Sequence, residues 1–115
     1  MDFTFTNQLH YLIHNVDGED VAHCLDLDLV GSGATADEAI NELNTAVCAL
    51  VFFAVKTKTY DVLSLCKSAP VRYWDLFEEA KNTSGTEVRT LEVSPELAPI
   101  AVNQCHFTYC LAVAA

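Results

Sequence analysis

The stretch that most constrains this chain runs from Asp20 to Leu43, DVAHCLDLDLVGSGATADEAINEL, and reads as a strand pair, a glycine-marked corner and the start of a helix. In Thr35-Ala36-Asp37-Glu38 the Thr35 hydroxyl can accept a bond from the amide of Glu38, while the Glu38 carboxylate reaches back to the amide of Thr35. That is a capping box, and it fixes where the helix begins. Just ahead of it, Gly31 and Gly33 permit backbone angles that branched residues resist, as a strand turning sharply into a helix often requires.

The neighbouring residues extend this frame in both directions. Gln8 to Val16 alternates, with Leu9, Tyr11 and Ile13 on one face and His10, Leu12 and His14 on the other. Asp17-Gly18 follows, a strong hairpin signal, so Val21 to Leu27 is expected to return antiparallel to the first strand. Leu29 to Ala34 makes a short third strand, and Phe3 and Phe5 alternate with threonines in a way that could extend the first. After the cap, Ala36, Ala39, Ile40, Leu43, Val47, Leu50, Val51 and Ala54 recur at helical spacing, with Lys56 and Lys58 where the helix dipole favours positive charge. From Cys48 to Phe53 nearly every residue is apolar, which predicts cover on several sides, from the C-terminal segment or from another subunit.

Beyond this helix, Asp61 is placed to cap a short turn through Leu65. Ser68 and Pro70 suit the entry to a second, shorter helix over 71–81, with Tyr73, Trp74, Phe77 and Ala80 three and four residues apart. Glu87 to Val93 alternates as a strand, Ser94 to Pro99 is a connection, and 100–113 reads as one more β segment. The expected fold class is α+β: a small antiparallel sheet, made of a hairpin plus a third strand, with a long helix packed on one face. A second short helix on the same side and C-terminal strands complete one domain, whose core is 8–55 and whose extension is 56–115.

Composition narrows the function. At 115 residues and 51% apolar content the chain can bury a core without disulfide or metal staples. Its net charge of −10 is lopsided: nine acidic residues (Asp2, Asp17, Glu19, Asp20, Asp26, Asp28, Asp37, Glu38, Glu42) precede the first basic residue, Lys56. Such a surface repels nucleic acid and attracts basic partners, although acidity serves solubility as well. The longest apolar run, Ala46 to Val55, is half of what a membrane span needs, and MDFTFTNQ lacks a basic region or a signal-like apolar core, so a cytoplasmic protein is expected. Five cysteines at wide spacings suit buried thiols better than a disulfide framework.

The order of strand, Asp-Gly hairpin, strand, glycine corner and Thr-x-x-Glu-Ala helix resembles the HicB-like family, the antitoxin halves of HicA/HicB pairs, and in particular its short stand-alone members. The residues that carry the likeness are Ala22-His23-Cys24-Leu25-Asp26-Leu27, Gly33, Thr35, Glu38-Ala39, Asn41 and Leu43, with Ser68-Ala69-Pro70 and Tyr73-Trp74 downstream. The resemblance implies a partial RNase H-like fold without that fold's catalytic carboxylates. It also implies a module that binds and masks a small basic, RNA-cleaving HicA-like toxin, often as a dimer or larger homo-oligomer. Two departures stand out: Ala34 occupies a position often acidic in the family, and 56–115 contains no basic helix to match the family's DNA-binding element.

Other chemistry is weighed against plainer readings. Asp26 and Asp28, two apart on an expected strand, would project from one face and with Asp20 or Glu42 could imitate a two-metal nuclease site. A solvated acidic edge or toxin-facing surface is the preferred reading, because metal catalysis needs convergent carboxylates. Cys24 beside His23, and Cys105-His106 with Cys110, depart from zinc-ligand spacing, so buried thiols are preferred. Cys24 with His10, His14 or His106 is formally a nucleophile pair without an activating constellation. His10 and His14 add a pH-dependent charge to the acidic surface, and the aromatics at 73, 74 and 77 are read as core rather than as a binding platform. The expectation is a non-enzymatic protein without cofactor or metal. Asp20, Asp26, Asp28 and His23 would meet the partner, while Gly18, Gly31, Gly33, Thr35 and Glu38 would serve structure. The alternative is an oligomeric stand-alone scaffold that binds another protein or ligand.

Overall fold

The computed structural model describes residues 8–57, 66–92 and 106–114. The expected turn at 61–65, the strand-like Phe3 and Phe5, the connection at 94–99, the first part of the last β segment and Cys105 lie outside the described residues. Seven elements follow in order: β1 (Leu9–Val16), β2 (Glu19–Cys24), β3 (Leu29–Gly33), α1 (Ala36–Lys56), α2 (Val71–Ser84), β4 (Glu87–Glu92) and β5 (His106–Val113). The fold is α+β, with a five-stranded sheet in the order β3-β2-β1-β5-β4.

The hairpin forms as its residues dictate. Asp17 and Gly18 both adopt positive φ, 51° and 87°, the geometry of a two-residue turn whose twist matches the strands. Val16 therefore faces Glu19, and the register carries down to Tyr11 opposite Cys24. β2 stops there, short of the expected Leu27. Leu25 to Asp28 form a turn, and Asp28 takes a φ of 54°, a left-handed conformation that aspartate tolerates better than most residues. The alternating Leu25-Asp26-Leu27 is therefore no strand, for Leu25 and Leu27 enter different hydrophobic clusters.

At the corner, Thr35 Oγ1 accepts the Glu38 amide at 3.2 Å as expected, but the Glu38 carboxylate takes the amide of Ala34, at 2.9 Å, rather than that of Thr35. The box is reciprocal but displaced by one residue. Gly31 and Gly33 are needed for a different reason from the expected one, since neither has positive φ. A Cβ on Gly31 would lie 2.6 Å from the carbonyl oxygen of Ala39, so α1 runs directly against β3 and only glycine leaves room.

α1 buries Ala39, Ile40, Leu43, Val47, Val51 and Ala54 against Leu9, Tyr11, Ile13, Ala22 and Cys24 of the sheet. Tyr109 and Leu111 of β5 join this cluster, with the Tyr11 and Tyr109 rings stacked 4.3 Å apart. Cover of the apolar end of α1 is one-sided: Phe52 and Phe53 remain 38% and 53% exposed.

Two differences from the expected arrangement reshape the sheet. β5 pairs parallel to β1, Leu9 opposite Tyr109, which makes the sheet mixed, while β4 closes the far edge antiparallel to β5. The second helix lies on the opposite face from α1: Phe77 and Ala80 pack with Leu12, Leu25 and Ala112. α2 also runs past the expected end at Lys81, to Ser84, and Gly85 caps it with its amide on the Lys81 carbonyl. Ser68 is not its cap. Pro70 holds that position without a side-chain bond, and Ser68 Oγ instead accepts the Trp74 indole N–H at 2.9 Å.

Candidate functional site

Alternation along β1 sends His10, Leu12 and His14 to the α2 side of the sheet. The hairpin register places His23 of β2 opposite Leu12 and hence on that same side, diagonal to His14. Three imidazoles thus share a patch that the sequence distributes over fourteen positions.

The Leu25–Asp28 turn aims a carboxylate at two of them. Asp26 accepts the backbone N–H of His10 at 2.6 Å and its Nδ1 at 3.1 Å. Asp28 meets Nε2 of the buried His23 at 2.6 Å. Because an ionised carboxylate only accepts, Nδ1 of His10 and Nε2 of His23 carry protons whatever their charge. The turn is itself held from below: the Leu25 amide donates to the His10 carbonyl, and the Leu25 carbonyl accepts the amide of Ala69, just before α2.

α2 roofs the patch with its aromatics. His10 stands edge-on to Trp74 and Phe77, at 5.3 and 5.5 Å between ring centres. Tyr73 lies 4.8 Å from His23 and 6.2 Å from His14. Above Tyr73 the Arg72 guanidinium sits 4.8 Å from the ring centre and donates to the phenol oxygen at 3.1 Å. His14 differs from its neighbours, for its Nε2 is buried and has no hydrogen-bond partner. Burial, followed by the charge on His23, holds its pKa below the ordinary histidine value.

The expected partner-facing residues divide between two surfaces. His23 and Asp26 lie on the α2 side, and the exposed Asp28 reaches His23 from its edge; both aspartates come from a turn, not side by side along a strand. Asp20 lies on the other face, bonded by Asn15 Nδ2 at 3.2 Å, and Glu42 is exposed on α1. Gly18, Gly31, Gly33, Thr35 and Glu38 occupy the turn, close approach and cap described above. Among the described residues, no three His, Cys, Asp or Glu side chains are placed to hold a metal ion. Cys24, Cys48, Cys66 and Cys110 are free thiols, and burial, reinforced by the Asp26 charge, pushes Cys24 up to about 12, which keeps it protonated and unreactive.

Tyr73 and Trp74, read from the sequence as core, are half-buried and face imidazoles, whereas Phe77 is core. The one cue to this cluster was the Asp-Gly turn: counting back from it pairs Leu12 with His23 and sets all three histidines on one face. No family model, curated protein or solved structure matches the chain in comparisons with known proteins. Among the described residues, no helix is long and apolar enough to cross a membrane.

Proposed function

We propose that this chain is a non-enzymatic, HicB-like antitoxin-type protein that binds a small basic, RNA-cleaving toxin and masks its active surface. The observation that carries the reading is the placement of charge. Asp17, Glu19, Asp28, Glu38 and Glu42 are all exposed on the β1–β3 meander and α1, a part of the chain with no lysine or arginine before Lys56, and the Asp37 beside them is met by Arg89 of β4 at 3.8 Å. A surface of one sign steers an oppositely charged protein into contact and repels RNA, which suits a module that competes with RNA for a basic toxin. The meander with one helix across it is also the unit that the family resemblance implies. A cytoplasmic place of action belongs to the same reading.

The test is co-expression with any small basic protein encoded beside this chain. Co-purification at moderate salt, loss of the complex at high salt, and arrest of that protein's RNA cleavage on adding this chain are expected. Failure to co-purify would sink the toxin assignment.

A second reading, an oligomeric scaffold for another protein or ligand, draws on the exposed Phe52 and Phe53 of α1. Light scattering on the purified chain separates the two, since a strict monomer that binds the basic protein leaves only the first.

A further inference from the structure

The layer between α2 and the sheet holds three imidazoles and two carboxylates. Asp26 takes His10 and Asp28 takes His23, so a proton on either ring meets a negative charge already in place and an aromatic face beside it. His14 has no carboxylate bonded to it. Its Nε2 is buried without a partner, its diagonal neighbours on β2 are His23 and the exposed Glu19, and above it lies Tyr73 with the Arg72 guanidinium over the ring. On its own strand Tyr11 faces the α1 side, His10 with the Asp26 bound to it lies four residues away on the same face, and the adjoining end of β5, Ala112 to Ala114, carries no titratable group.

We propose that α2 is an acid-released cover of the sheet and that His14 is its trigger: a proton on its Nε2 has no acceptor beneath Tyr73, and that atom reaches water only when the helix lifts. The hold of α2 is thin enough to allow it. Only Phe77 and Ala80 are buried along the helix, and no side chain caps its start. The sheet beneath keeps its own core with α1, so lifting α2 uncovers Leu12 and the three imidazoles without dismantling the fold.

The direction with pH follows from His14, whose pKa in the closed state lies below its ordinary 6.5. The opened state binds the proton more strongly, so the closed state keeps its full advantage above about pH 6.5 and loses it as pH falls. One proton taken up on opening changes the closed-to-open ratio by up to about tenfold per pH unit.

Hydrogen–deuterium exchange on the intact chain, from about pH 7.5 to about pH 5.5 and corrected for intrinsic rate, tests this alongside the emission of Trp74, the single tryptophan. The expected result is a fall in protection of up to about tenfold per pH unit confined to α2, with α1 unchanged and Trp74 emission shifting to the red. His14→Gln, which carries no charge at any pH, keeps α2 protected throughout that range. Protection of α2 that is flat with pH in the unmodified chain, or that falls equally in His14→Gln, overturns the proposal. Should that variant not fold, NMR titration of the imidazoles in the unmodified chain decides: opening must follow the His14 curve, and opening that follows His10 or His23 overturns it.

Discussion

The two faces of the central strand solve different problems with alternate residues of one octapeptide. Leu9, Tyr11 and Ile13 enter an apolar layer in which α1 approaches so closely that β3 needs a glycine at position 31. His10, Leu12 and His14 enter a layer in which imidazoles, carboxylates and aromatic rings sit among the aliphatic side chains. Apolar burial is insensitive to protons, whereas imidazoles change charge near neutrality. The difference teaches that period-two alternation lets one strand anchor the fold on one side and respond to its surroundings on the other.

Substitutions can break or sharpen this contrast. The largest effect is expected for Gly31→Val, whose side chain meets the backbone of α1 and has no flexible neighbour to displace; urea denaturation is expected to show a loss of at least ~3 kcal/mol. A loss within experimental error would refute the close approach. Leu43→Ala on the α1 side is expected to cost ~3 kcal/mol of global stability. Phe77→Ala, also buried but on the α2 side, is expected to cost ~3 kcal/mol and to appear first as faster exchange within α2. Equal exchange changes in both helices would erase the distinction between the faces. Thr35→Ala, which removes the hydroxyl that caps α1, is expected to cost ~1 kcal/mol by thermal denaturation. The smallest signal is chemical: with its thiol pushed up to about 12, Cys24 should resist alkylation at about pH 8 until urea opens the α1 side. Labelling of Cys24 in the native chain would show that this layer is less closed than the packing indicates.

Local signals were legible and distant ones were not. The Asp17-Gly18 hairpin, the α1 stripe and the Thr35 cap depend on neighbours within a few positions, and the hairpin alone sets the register that gathers the three histidines. Leu25-Asp26-Leu27-Asp28 misled because its alternation matches a strand, while the turn buries its two leucines in opposite layers and seats its two aspartates against His10, sixteen residues back, and His23, five back. The parallel pairing of β1 with β5 joins segments almost a hundred residues apart and leaves no local trace. The side of the sheet that α2 takes was hidden for the same reason: its stripe of Tyr73, Trp74, Phe77 and Ala80 shows that it packs, not against what.

That parallel pairing has a consequence for how the protein is made. β1 is the middle strand, and one of its edges belongs to β5, whose residues leave the ribosome long after the meander and α1 can assemble from contacts close in sequence. At ordinary rates of synthesis that edge waits about 5 to 20 s between the emergence of Val16 and that of Val113. Throughout the interval a row of unpaired amides and carbonyls at the centre of the future sheet is open to any other nascent strand. The vulnerable period of this protein's life falls during translation, and slowing the ribosome between α1 and β5 should raise its aggregation.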